Sequence, residues 1–145
     1  MLSQSAFPAR PTLPAAEPPT GEPVGEWTLR PEPQSAGLAR RLVAGTLDGT
    51  RESLRRRATL IVSELVGNGI RHGRGRLGVG VKRLPDGWLL QVRDSSTVPP
   101  RVRPSTASDE SGRGMHIVTR MSEDAGWAQT PTGKVVWARL ADLPC

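Results

Sequence analysis

The spacing of apolar residues changes at Gly73, and this change constrains what the middle of the chain can fold into. Before Gly73, apolar residues recur at helical spacing, at Leu54, Ala58, Ile61 and Leu65. After it, they alternate with glycine or lysine, at Leu77, Val79 and Val81. A period near 3.6 indicates an amphipathic helix, and a period of two indicates a half-buried strand. The sequence therefore predicts a helix from about Arg51 to His72, followed by a strand.

The segment before this helix predicts a short strand and another helix. Trp27-Thr28-Leu29 predicts a short β-strand, which ends before the prolines at 31 and 33. A helix is then predicted from Ser35 to Leu47, with Ser35 as its N-cap and Asp48-Gly49 ending it. Its expected buried side consists of Leu38, Leu42, Val43 and Leu47.

The segment after Gly73 predicts two hairpins separated by a long loop. Pro85-Asp86-Gly87 joins the strand at Leu77 to one that contains Trp88, Leu90 and Val92. Residues 95–112 show no periodicity. An irregular segment of this length is long for a passive connection and is typical of a functional lid. A helix (113–121) and strands near 124–130 and 134–140 follow. The element order predicts an α+β sandwich, with helices on one face of a mostly antiparallel sheet.

Eight of the 14 prolines lie in residues 1–33, among Ala, Glu and Thr. This composition predicts a disordered leader over residues 1–26, and one folded domain over residues 27–145. Either the leader is a tether or it has no function of its own.

The net charge bears on which partners the protein binds, and the cysteine content bears on the cellular compartment. The net charge is +6, and because 18 of the 20 basic residues are arginine, the excess is consistent with compositional bias as much as with selected contacts. Cys145 is the single cysteine, so no internal disulfide can form and a reducing compartment is expected. The N-terminus lacks an apolar signal-peptide region and no apolar run reaches roughly 18 residues, so we expect no membrane span and a cytoplasmic location.

The predicted second helix also carries a polar pair at the edge of its apolar stripe. Glu64 and Asn68 are four residues apart, so they are neighbours on one helical face. Gly67 and Gly69 each cost about 1 kcal/mol relative to alanine inside a helix. Such a cost is explained if another group must approach the helix backbone closely. An isolated pair of this kind would otherwise be a solvated edge.

Three further signals follow in order along the chain. Asp94 ends the alternating strand just before the long loop. Gly112-Arg113-Gly114 opens a predicted helix, where free backbone N–H groups favour an anion. The last is the closing hairpin around Gly133. The alternatives are a strand-end cap for Asp94 and a flexible helix entry for Gly112-Arg113-Gly114.

Other binding motifs fail on context. Gly73-x-Gly75-x-x-Gly78 leaves a helix and enters a strand, the reverse of a dinucleotide fingerprint. Gly133-Lys134 is followed by Val135, where a P-loop needs Ser or Thr. His72, His116 and Cys145 have no paired metal-ligand spacing.

Four segments together resemble the N, G1 and G2 boxes and the closing hairpin of the GHKL ATPase superfamily. They read ELVGNGIRHG, VRDSS, SGRGMHIV and GKVVWARL. Their wording is most similar to the RsbW- and SpoIIAB-like anti-sigma-factor serine kinases, in their compact histidine kinase-like ATPase form. The likeness spans about residues 27 to 141. It implies a Bergerat-type two-layer sandwich that binds ATP with Mg²⁺.

The resemblance also implies roles for individual residues. Glu64 would be the general base, Asn68 would coordinate Mg²⁺, and Asp94 would accept the exocyclic amine of adenine. Gly112, Arg113 and Gly114 would lie where the lid and a helix N-terminus meet the phosphates. Four residues that belong to these boxes are assigned to the nucleotide site as well: Arg71, His72, Ser96 and Met115.

The chain departs from the family pattern at three places. Ser95 and Ser96 stand where glycines usually follow the aspartate. Val135 stands where many relatives have a threonine, which removes a hydroxyl expected beside adenine. The lid is rich in proline and arginine, and Arg101, Arg103 or Arg113 either contacts phosphate or is solvated.

The resemblance implies a kinase that phosphorylates a STAS-type anti-anti-sigma protein and sequesters a sigma factor by partner switching. The alternative is an ATP-binding interaction module without kinase activity. Relatives commonly dimerise, and the first strand with its helix is the expected homodimer surface. Nucleic-acid binding rests on charge alone, because the chain has no Tyr and its one Phe lies in the leader.

Overall fold

A computed structural model describes residues 12–102 and 110–142, and it has the predicted α+β architecture. Three helices pack on a five-stranded sheet within these residues. The elements in chain order are β1 (Glu22–Leu29), α1 (Gln34–Thr46), α2 (Glu52–His72), β2 (Leu77–Leu84), β3 (Gly87–Asp94), α3 (Glu110–Met121), β4 (Asp124–Thr130) and β5 (Gly133–Ala141).

The sheet is open and its five named strands pair in antiparallel fashion, in the order β1-β2-β3-β5-β4. The pairs β2–β3 and β4–β5 are the two predicted hairpins. The pairing of β3 with β5 joins the hairpins and places Asp94 opposite Lys134. The end of the first hairpin therefore meets the start of the last strand.

The two faces of the sheet differ in what covers them. One face carries side chains such as Val81, Val92 and Val136, which form a single core cluster with residues of α1, α2 and α3. The other face carries a small separate cluster of Leu84, Leu89 and Trp137. Alternation along each strand assigns successive residues to opposite faces. The helices thus form one layer, and α2 lies at its centre.

Two details of α1 differ from the prediction. Pro33 is the N-cap residue and makes no side-chain cap hydrogen bond, whereas Ser35 is buried within the first turn. The Ser35 hydroxyl donates to the carbonyl of Arg30 at 2.6 Å. It therefore binds the backbone of the segment that precedes α1 and does not cap the helix. The buried stripe includes Ala39 and not Leu38, which remains 38% exposed. The stripe therefore follows a spacing of four residues, through Ala39, Val43 and Leu47.

Part of the segment predicted to be a disordered leader is ordered against the sheet. Residues 12–17, here called the N-terminal strap, run beside β4, with a parallel bridge between Ala15 and Trp127. Trp127 donates its backbone N–H to Pro14, and Ala16 donates to Trp127. Leu13 is only 2% exposed and belongs to the main core. The strap provides backbone hydrogen-bond partners for the edge strand β4, and it buries the side chain of Leu13. Its proline-rich composition did not indicate this order.

The strap also contacts the start of the long loop. Leu13 donates its backbone N–H to the carbonyl of Pro100 at 3.0 Å, and Thr12 bridges Arg101. β1 begins at Glu22, five residues before the predicted start of order. The first ten residues of the predicted leader and Pro11 lie outside the described residues.

α3 begins at Glu110, earlier than predicted. Gly112 therefore lies within the helix, not in the preceding loop. Residues 103–109 of the predicted lid, including Arg103, lie outside the described residues. No helix in the described part of the chain is both long and apolar enough to cross a membrane.

Candidate functional site

Asn68 is the most unusual side chain on the rim of α2. It is 1% exposed, and its side-chain oxygen Oδ1 has no hydrogen-bond partner within the described residues. A buried acceptor without a donor costs about 1–3 kcal/mol. Glu64 lies one turn earlier on the same helical face and is partly exposed. The rim of α2 thus holds an acceptor that a ligand could satisfy, beside a carboxylate that solvent can reach.

The N-terminal part of α3 packs directly on Glu64. A Cβ added at Gly114 would lie closer than 3.0 Å to the carboxylate oxygen Oε1 of Glu64. Only a glycine permits this approach without moving the carboxylate. The backbone of Gly112 and Arg113 lies in the first turn of the same helix. The first and third predicted boxes therefore meet in space, at Glu64.

The other end of α2 packs against the end of β3. A Cβ at Gly69 would lie 2.8 Å from Cδ2 of Leu77 and 3.5 Å from Oδ2 of Asp94. At Gly73 it would lie 3.2 Å from Cβ of Asp94. Gly69 thus explains part of the glycine content of α2, because β2 and β3 approach its backbone. Gly67 has a different environment, since its nearest neighbour is the Arg71 guanidinium at an ordinary 3.5 Å.

Asp94 is held in a buried ion pair with Lys134. The ammonium nitrogen Nζ lies 2.9 Å from Oδ1 and 3.0 Å from Oδ2 of Asp94. The Lys134 side chain is 0% exposed and the Asp94 side chain is 1% exposed. The backbone N–H of Ser96 also donates to Oδ1 at 2.8 Å. The carboxylate predicted to recognise adenine thus already accepts three hydrogen bonds from the protein.

Sequence reasoning assigned no role to Lys134. Its pairing with Asp94 follows from the β3–β5 register, in which the two residues are opposite each other. β3 and β5 are not consecutive strands, so a hairpin pattern does not reveal this pairing. The opposite charges of Asp94 and Lys134 at the ends of two predicted strands do not by themselves indicate the strand order.

Residues 29–140 match the family model of the histidine kinase-like ATPase domain. The match covers 112 of the 145 residues. The chain belongs to the histidine kinase-like ATPase domain family. No curated protein matches the chain. Membership confirms the GHKL resemblance at the level of the superfamily, and it supports nucleotide binding.

Ser95 and Ser96 organise the loop after β3. The hydroxyl oxygen of Ser95 accepts hydrogen bonds from the backbone N–H groups of Arg74 and Gly75, at 2.8 and 3.3 Å. That of Ser96 accepts from Val98 at 3.0 Å. Ser96 is buried. Both serines therefore brace the backbone around Asp94.

Val135 does not lie where the prediction placed it. It pairs with Arg93 and falls between Lys134, which contacts Asp94, and Val136, which lies in the helix-facing core. Successive strand residues face opposite ways, so Val135 points to the same outer face as Trp137. The missing threonine hydroxyl therefore has no bearing on the Asp94 pocket of this ATPase domain, and Lys134 is the residue of β5 that reaches it.

The remaining predicted nucleotide residues fall into two groups. Arg71 and His72 are exposed in the last turn of α2. Met115 is completely buried in the main core, so its side chain supports α3 and does not line an open site. The assignment of Met115 to the nucleotide site stays a prediction. A hydrophobic side chain one residue after Gly114 is turned inward because α3 packs on α2.

Two clefts in this ATPase domain differ in whether predicted site residues line them. A cleft of about 220 Å³ lies beside Asp94, Ser95 and Thr132. A larger one of about 330 Å³ lies on the outer face of the sheet, near Glu26 and Gln91. The larger cleft includes none of the predicted site residues. Neither cleft is lined by Glu64 or Asn68, so we place the candidate site at the rim of α2 because the predicted boxes converge there and not because of a cleft.

The residues at this rim fit a magnesium ion. Mg²⁺ binds oxygen ligands, retains several waters and needs few protein ligands. The unpartnered Oδ1 of Asn68 is such an oxygen. Glu64 supplies a nearby carboxylate, and the N-terminal part of α3 packs on it. An ion shared with phosphate oxygens would satisfy the acceptor that the protein leaves without a donor.

Proposed function

We propose that this chain is an Mg-ATP-dependent protein serine/threonine kinase that regulates transcription by partner switching. It phosphorylates a STAS-type anti-anti-sigma protein, and it binds a sigma factor when that antagonist is phosphorylated. The cytoplasm is its proposed location. The observation that carries the proposal is the unpartnered oxygen of Asn68, one turn from Glu64 and the start of α3.

The proposed reaction assigns a role to each part of the site. Asn68 would hold Mg²⁺, which would neutralise charge on the phosphates. The free N–H groups of the first turn of α3 favour phosphate oxygens. Met115 and Gly114 fix that turn against α2, Met115 through the core and Gly114 through its contact with Glu64.

Glu64 is the proposed general base. It accepts the proton of the acceptor serine or threonine hydroxyl while the hydroxyl oxygen bonds to the γ-phosphorus. The bond from that phosphorus to the β,γ-bridging oxygen breaks, and ADP is released. Because Glu64 is partly exposed, an acceptor side chain can reach it from outside the sandwich.

Replacing Glu64 by Gln tests this role directly. The variant keeps the shape and the packing on Gly114, so Mg-ATP should bind as in the unmodified chain. Transfer of labelled phosphate to a STAS acceptor should fall at least about 100-fold, which is the contribution typical of general bases. Transfer at the original rate would remove Glu64 from the mechanism.

One observation favours a second function. Because Asp94 already pairs with Lys134, the structure also suits an ATP-binding interaction module without kinase activity. Co-purification with sigma factors and STAS proteins, with and without Mg-ATP, separates the two functions when combined with the label-transfer assay. Nucleotide-dependent association without transfer indicates the module. Whether it acts as a kinase or as an interaction module, the chain is proposed to form a homodimer through β1 and α1.

A further inference from the structure

The Asp94 carboxylate already has hydrogen-bond partners within the fold. Lys134 approaches both oxygens, and the backbone N–H of Ser96 binds one of them. Asp94 and Lys134 are almost completely excluded from solvent. A purine amine therefore meets a carboxylate that is already paired with an ammonium and excluded from solvent.

Asp94 has little freedom to turn away from Lys134. Gly69 and Gly73 bring the backbone of α2 and its end against the Asp94 side chain. A Cβ at Gly133 would overlap the Asp94 carbonyl, so the closing hairpin is equally tight on the backbone. Lys134, in contrast, has a flexible four-carbon stem. Any exchange of partners must therefore occur by movement of Lys134.

Electrostatics favour Lys134 over a nucleobase as the partner of Asp94. An ammonium is charged, whereas the exocyclic amine of adenine is a neutral donor. Both would donate to the ionised carboxylate, but only the ammonium adds the Coulomb attraction between two full charges. Displacing the ammonium would also leave a charge without its buried partner, which is strongly unfavourable. A bound adenine would therefore compete poorly for this carboxylate.

We infer that Lys134 is a specificity-determining residue that occupies the base-reading carboxylate and suppresses discrimination between adenine and guanine. The inference rests on the proposed function, since it concerns the same nucleotide site. It means that Mg-nucleotides bind mainly through their phosphates, at Asn68 and the start of α3. ATP and GTP then have similar affinities.

Calorimetric titration of the full chain with Mg-ATP and Mg-GTP tests the inference. The unmodified chain should prefer ATP by less than threefold. Lys134→Met keeps the apolar stem and removes the ammonium, so ATP should bind at least tenfold more tightly while GTP is unaffected. Lys134→Arg retains the positive charge and should keep the original ratio.

A double variant controls for folding, because Lys134→Met alone leaves the Asp94 charge buried. Asp94→Asn combined with Lys134→Met is neutral and similar in volume, and its melting temperature shows whether the sandwich is intact. It should show the same ATP-to-GTP ratio as the unmodified chain. A higher ratio in the unmodified chain would mean that Asp94 already reads the base, which overturns the inference even if Lys134→Met does not fold.

The outcomes separate the inference from the proposed function. Tenfold or greater preference for ATP in the unmodified chain overturns the role of Lys134 and leaves nucleotide binding intact. An unchanged ratio in folded Lys134→Met has the same meaning. If neither the unmodified chain nor any variant binds a Mg-nucleotide, the proposed function and the inference fail together.

Discussion

Gly114→Ala should separate the fold of this protein from its chemistry. The new methyl group would lie closer than 3.0 Å to Oε1 of Glu64, so the carboxylate must withdraw by roughly 1 Å to restore an ordinary van der Waals separation. Overpacking in a rigid core costs about 1–3 kcal/mol. Here the obstructing atom is the end of a flexible, partly exposed side chain, and alanine gains about 1 kcal/mol over glycine in a helix. We therefore expect the free energy of unfolding to change by less than about 1 kcal/mol.

The effect on catalysis should be much larger than the effect on stability. A misplacement of about 1 Å in a reacting group can reduce a rate about 100-fold. Phosphate transfer by Gly114→Ala should fall by about that factor, with Mg-ATP still bound. The assays are urea denaturation and single-turnover transfer of labelled phosphate.

Gly45→Ala is the matched control for Gly114→Ala. It is also a helical glycine, but a Cβ at Gly45 would meet nothing within 4 Å. This variant should gain up to about 1 kcal/mol in stability and keep the original transfer rate. If Gly114→Ala also transfers phosphate within threefold of the unmodified rate, the contact between α3 and Glu64 has no part in the catalytic geometry.

Two further substitutions examine other parts of the molecule. Leu13→Ala should cost about 2–5 kcal/mol in urea denaturation, because the side chain is buried in the main core; Val24→Ala, at a side chain 36% exposed, is its control, and equal midpoints would show that the strap does not contribute to the core. Asn68→Leu removes a buried acceptor without a donor, so the melting temperature without ligand should stay the same or rise. Mg-ATP should raise the melting temperature of the unmodified chain but not that of Asn68→Leu, and a rise in both would contradict the role of Asn68.

The sequence predicted α2 closely because its signals are local and agree with one another. A long stripe at helical spacing, ended by Gly73, predicted Arg51 to His72, and the helix spans Glu52–His72. The hairpins were predicted for the same reason, since alternation and turn residues lie next to each other in the chain. Their order also predicted the α+β sandwich, which family membership and the sheet topology confirm.

The strap and Lys134 could not be predicted in this way because both depend on distant partners. Leu13 lies among prolines and alanines, and its order comes from the core and from backbone hydrogen bonds to Trp127 and Pro100. Lys134 is buried because β5 pairs with β3, which is not its neighbour in the chain. The inward direction of the Met115 side chain was not predicted either, because a motif gives the order of residues but not the direction of each side chain.

The two borders of the sheet have different capacities for growth by strand addition. At the β4 border, the strap already takes up backbone groups of Trp127 that an added strand would require. At the β1 border, no strand or bridge of the described residues pairs with the outer side of β1, and Pro23 and the register irregularity between Pro23 and Gly25 interrupt this edge. Two copies joined by antiparallel pairing of β1 would each present only a strap-covered border. Assembly by this route would therefore stop at a pair and would not propagate into a filament.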